Sequence, residues 1–188
     1  MSSNEKFYVP VGYPLGYELV DGIPHDTKEN FKVYSPKHYK IELYLNDKLS
    51  VTVLSLPDEL YLWSRLLYLQ DKTIRNSCNL DLLESLQKKH VILEAETLTD
   101  LLKKLLPLKV QRQGVGWTNE QKICVLLGRE MVYTVGLQKA IWNFAMGCKV
   151  EDIFNWHFSK TNVSAEEYGK KFASAIIELM KNGLLILQ

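Results

Sequence analysis

Apolar and polar residues alternate along "KIELYLNDKLSVTVLSL": Ile41, Leu43 and Leu45 share one face, and Leu49, Val51 and Val53 follow Asn46-Asp47. That alternation predicts a β-hairpin. The rhythm then changes. "ELYLWSRLLYLQ" is apolar nearly all round, which predicts a central, buried helix, entered through Pro57 with Ser55 and Asp58 at capping-box spacing. "NLDLLESLQKKHVILE" predicts a helix burying Leu80, Leu82, Leu83 and Leu86, then a short strand at Val91–Leu93.

Thr97 and Asp100 have capping-box spacing before "LTDLLKKLLP", whose Leu98, Leu101, Leu102, Leu105 and Leu106 form one stripe that Pro107 ends. "KVQRQGVGW" reads as a glycine-broken crossing segment. The pattern then returns. "KICVLLGREMVYTVG" predicts a hairpin turning at Gly128-Arg129, and "LQKAIWNFAMG" a helix burying Leu137, Ala140, Ile141, Phe144 and Ala145. "KVEDIFNWHF" gives a shorter helix. Ser164 and Glu167 cap a long helix, Asn182-Gly183 ends it with a left-handed glycine, and "LLILQ" closes as a strand.

Hairpin, helix, helix and strand thus occur twice, with Trp63 matching Trp142 and "LLESLQKKHVIL" matching "AIIELMKNGLLI". The first copy is shorter, as if its middle helix had shrunk. Such a degenerate tandem repeat divides the chain into an irregular N-terminal arm (1–38), a first winged-helix-like module (39–96), a connector helix and loop (97–120) and a second module (121–188). The expected fold class is α+β.

The second copy carries a resemblance. "VYTVGLQKAIWNFAMGCKVEDIF" followed by "SAEEYGKKFASAIIELMKNGLLIL" resembles a PqqD-like winged-helix domain through Ile141-Trp142, Gly147, Val150-Glu151-Asp152-Ile153, Leu179 and Gly183-Leu184-Leu185. It covers 121–188 well and 39–94 loosely. The resemblance implies a three-helix, β-edged module without catalytic residues that binds a peptide as an added strand against its sheet and last helix.

Composition narrows the alternatives. The 188 residues are 46% hydrophobic and 24% charged, with a net charge of +1, which argues against a surface given wholly to nucleic acid. No apolar run is long enough to span a membrane, and the start lacks the basic-then-apolar pattern of a secretory signal. Cys78, Cys124 and Cys148 have no metal-like spacing, so reduced thiols in a cytoplasmic protein are expected, with no metal and no cofactor. Nucleophile, phosphate-loop and zinc-protease motifs are absent, so no enzyme is expected. Asp58-Glu59, Glu151-Asp152 and Glu166-Glu167 fall in helix first turns, where they complement the macrodipole. His157, on the apolar face of Val150, Ile153 and Phe154, reads as a core histidine with a backbone partner, or else a ligand or pH switch.

The last helix holds more apolar surface than one module can bury. Phe172, Ala175, Ile176 and Leu179 form a core stripe, and Gly169, Ala173, Ile177 and Met180 a second one beside it. That second stripe packs on the other repeat or on a second subunit, or else forms a peptide groove of Met131, Tyr133, Ala173, Ile177 and Met180 with the strand at 131–134. For DNA, the alternative function, the same helix offers no arginine and nearly cancelling charge. The basic tract Lys103, Lys104, Lys109 and Arg112 is either a solvated face or a set of phosphate contacts. The expected function is non-enzymatic peptide or protein binding, with a DNA-binding regulator as the alternative.

Overall fold

The computed structural model describes residues 6–18, 38–45, 48–68, 80–118, 122–127 and 130–188. In chain order these form β1 (Phe7–Pro10), β2 (Tyr13–Glu18), β3 (His38–Leu45), β4 (Lys48–Ser55), α1 (Asp58–Arg65) with a 3-10 turn (Leu66–Tyr68), α2 (Leu80–Lys88) and β5 (Ile92–Ala95). There follow α3 (Leu98–Leu105), β6 (Lys109–Arg112), β7 (Val115–Thr118), β8 (Lys122–Leu127), β9 (Glu130–Val135), α4 (Gly136–Phe144), β10 (Met146–Lys149), α5 (Val150–Phe158), α6 (Ala165–Lys181) and β11 (Leu185–Leu187). The fold is mixed α/β, and the described residues form four small sheets: β2-β3-β4, β7-β8-β9, β1-β5 and β10-β6-β11.

Both alternating segments form hairpins, β3–β4 and β8–β9. Their turn residues, 46–47 and 128–129, lie outside the described residues. Ile41 and Leu43 are fully buried on the inner face of the first sheet, and Val125 on that of the second. The stripe of α3 buries Leu101, Leu102 and Leu105, and Thr97 Oγ1 caps the helix by accepting from Asp100 N at 3.0 Å. Ser164 Oγ accepts from Glu167 N at 3.2 Å, and Gly183, at φ 68°, ends α6 with Leu184 N donating to Leu179 O at 2.8 Å.

Several expectations need correction. The N-terminal arm is not irregular where it is described: Phe7-Tyr8-Val9 is an apolar run that pairs antiparallel with β5, and β2 pairs with β3. Pro10 and Pro14 sit at a strand end and in a terminal strand, where a missing N–H is tolerated. The 97–120 segment is more than a connector, because β6 is the middle strand between β10 and β11 and buries Val110. α1 is not buried all round: Leu62 is buried and Tyr61 exposed, and the 3-10 turn after it likewise buries Leu66 and exposes Tyr68. No side chain caps α1; Ser55 N donates instead to Glu59 Oε2. Leu80 and Phe144, expected inside, are exposed, and Trp142 takes the buried place beside Ile141.

Strand pairing follows a similar order in two parts of the chain. Each half opens with a strand, a glycine turn and a three-stranded meander: β1–Gly12–β2-β3-β4 and β6–Gly114–β7-β8-β9. In each, the opening strand pairs antiparallel with the closing one, β1 with β5 and β6 with β11. The third meander strand leads into the helix carrying the tryptophan. Trp63 Nε1 donates to Val91 O at 3.0 Å, and Trp142 Nε1 to Gln113 O at 3.2 Å. Part of the span where a middle helix would fall in the first half, 69–79, lies outside the described residues.

The halves meet at Gly12, whose N–H donates to Leu187 O at 2.7 Å. Gly12 has φ 115°, and a Cβ there would stand 2.2 Å from Ile41 Cγ2. Both the backbone conformation and the space exclude a side chain. Gly12→Ala is therefore expected to cost about 2–4 kcal/mol, read as a lower midpoint in urea unfolding at unchanged slope.

Candidate functional site

The register of β7-β8-β9 sorts its residues into two faces. Gly116, Val125 and Val132 make one cross-strand row and Thr118, Ile123 and Thr134 another. Val125 and Thr134 are buried and Val132 partly so, which sets these three against the core. The alternate rows pair Val115–Leu126–Met131 and Trp117–Cys124–Tyr133, with Lys122 opposite Val135 beyond them, and Val115, Met131, Tyr133 and Val135 mark the outer face. Seven of those eight positions are apolar. Val115 is 74% exposed, Met131 55%, Tyr133 53% and Val135 57%. An antiparallel sheet with one face on the core normally turns polar residues outward. This one does not.

The structure does not bring the five expected groove residues together. Met131 and Tyr133 lie on the outer face, while Ala173 and Met180 are buried and Ile177 is half-buried against the core. The second stripe of α6 is covered from within the chain. α3 packs along it so closely that a Cβ on Gly169 would stand 2.7 Å from Leu102 Cδ2, and the 3-10 turn of the first half reaches it through Tyr68 OH donating to Lys181 O. Met180 also borders an apolar cavity of about 310 Å³ between the halves, with Trp63, Leu67, Leu185 and Leu187. The stripe is thus covered chiefly by α3, from the 97–120 segment, with Met180 bordering residues of the first half.

The basic tract is dispersed as well. Lys104 Nζ is held by Asp100 Oδ2 at 2.9 Å and Glu94 O at 2.6 Å. Arg112 stands over the Trp142 ring, its guanidinium carbon 4.8 Å from the centroid, at the far end of β6 from Lys109. Lys103 is exposed on α3. α6 is central, burying eight of its seventeen residues. Its exposed lysines pair along the helix, Lys170 with Glu166 at 2.6 Å and Lys171 with Glu167 at 2.7 Å. Those lysines hold the carboxyls of Glu166 and Glu167 below the ordinary range through hydrogen bonds and charge.

No family model matches the chain, and no curated protein or solved structure matches it.

His157 corrects another expectation. Its partner is a side chain: Nδ1 lies 3.0 Å from Tyr168 OH, and the two rings stack 5.7 Å apart. Burial pushes the Tyr168 phenol up to about 12. Phe154 and Phe172 close around it, 5.2 Å apart and edge-on, so this cluster joins α5 to α6. Cys148 Sγ donates to Phe144 O at 3.0 Å; Cys78 lies outside the described residues. Among the described residues, no three histidines, cysteines or carboxylates gather as metal ligands, and no helix is long and apolar enough to cross a membrane.

Proposed function

We propose that the chain is a non-catalytic module that binds a peptide or protein, with the outer face of β7-β8-β9 as its contact surface. The carrying observation is the row Met131, Tyr133 and Val135 on β9, continued by Val115 on β7, all apolar and more than half exposed. Contiguous exposed apolar patches mark interaction surfaces. Tyrosine and methionine are favoured anchors, because a tyrosine ring brings large area at low entropic cost and methionine adapts its shape. This reading keeps the peptide-binding expectation drawn from the PqqD-like resemblance. It moves the contact from a groove on the last helix to the sheet.

Tyr133→Glu tests it. Circular dichroism and a urea midpoint establish that the variant is folded. Partner recovery by affinity purification from native extract should fall at least about tenfold, the equivalent of 1.4 kcal/mol. Unchanged recovery with a folded variant contradicts the reading.

A further inference from the structure

β4 is a terminal strand of β2-β3-β4, and β3 is its ladder partner among the described residues. Leu45 and Lys48 close the hairpin across two residues. In such a hairpin the closing pair is hydrogen-bonded, so Leu49, Val51, Val53 and Ser55 turn their N–H and C=O groups away from β3. Ser55 confirms the parity, since its N–H donates outward to Glu59 Oε2 at 2.6 Å. Leu49, Val51 and Val53 hold the remaining outward groups, and the Leu49 and Val51 side chains are exposed.

Among the described residues, this edge carries none of the devices that keep strands from pairing. β2, at the other side of the sheet, carries Pro14 and a register shift between Pro14 and Gly16. β4 runs eight residues in unbroken register without proline or bulge, and its single charge is Lys48 at the start. Long, neutral, apolar edges are templates for another strand.

We infer that β4 pairs antiparallel with β4 of a second copy about a two-fold axis at Val51, joining two three-stranded sheets into one of six strands. A strand that fits must be extended and neutral and must have its own outward groups in the same parity; β4 itself meets each condition. Across the axis Leu49 faces Val53 and Val51 faces Val51, apolar pairs of the kind that stabilise sheets. Positions 49–53 carry no charge, so no like charges oppose one another. A lone strand pair buries well under the roughly 1,200 Å² of a stable interface. The dimer is therefore weak, reversible and isologous. It does not use the outer face of β7-β8-β9.

Sedimentation velocity from low-micromolar to near-millimolar protein tests this. Wild type is expected to move from monomer towards dimer. Val51→Pro deletes an N–H that β3 does not use, and Val51→Lys places a charge on the edge. Both should weaken association at least about tenfold with unchanged circular dichroism. Val51→Cys supplies a reading that needs no edge-breaking variant. Directly opposed hydrogen-bonded residues lie about 5.5 Å apart at Cα, within disulfide reach, so mild oxidation should cross-link this variant much faster than wild type. A wild type monomeric throughout, a dimer undiminished in Val51→Lys, or one lost in Tyr133→Glu instead would overturn the inference.

Discussion

Glu59→Ala is expected to destabilise the protein by about 3–5 kcal/mol, the range for breaking a buried ion pair. Glu59 is 3% exposed in the first turn of α1. Its carboxylate accepts from Lys89 Nζ at 2.5 Å, Ser85 Oγ at 2.5 Å and Ser55 N at 2.6 Å. One side chain thereby joins the end of β4 to α2 and the turn after it. Burial alone would raise its pKa, but the hydrogen bonds from Lys89, Ser85 and Ser55 outweigh that and hold it at about 2, down from an ordinary 4.5. A folded-state pKa below the unfolded one stabilises at pH above the unfolded value and loses that contribution as pH falls towards the folded value. The contribution, roughly 3 kcal/mol at about 1.4 kcal/mol per pH unit, is thus fully present above pH 4.5 and disappears towards about pH 2. Urea unfolding of wild type and Glu59→Gln across that window should converge as pH falls. Parallel curves would contradict this account of Glu59.

Trp142→Ala is expected to cost about 3–5 kcal/mol, from lost burial and the cavity left behind. The ring is almost fully buried, donates to Gln113 O at 3.2 Å and supports the Arg112 guanidinium. Its loss removes the donor to Gln113 and the support of Arg112 at once. Trp63→Ala should cost less, because that indole is only partly buried and borders the cavity between the halves. Denaturant midpoints of the two variants decide the order, and an equal or larger loss at Trp63 contradicts it.

What the sequence made legible was local. Alternation located both hairpins, and the i, i+3, i+4 spacing of Leu98, Leu101, Leu102 and Leu105 located α3 with its stripe. Short strands were not legible. "KVQR" holds four residues and becomes a middle strand only because β10 and β11 flank it from far along the chain, Gln111 pairing with both Met146 and Ile186. Excess apolar surface on α6 could be read from helical spacing, but its cover depended on Gly169 admitting Leu102. Glu59 read as an acid serving the helix dipole; its true partner, Lys89, stands thirty residues away. The outer face of β7-β8-β9 was half visible through Met131 and Tyr133. Val115, within a glycine-broken "GVGW", joins them only when register sets it opposite Leu126.

Site-specific photo-cross-linking tests the central claim most directly. A photoreactive phenylalanine analogue replaces Tyr133 in one variant and Glu167, on the charged arc of α6, in another, and both are irradiated in native extract. The account predicts an adduct of discrete mass at position 133, absent at position 167 and suppressed when Val135→Glu is added to the same sheet face. An adduct at position 167 alone, or one at position 133 that survives Val135→Glu undiminished, would contradict it.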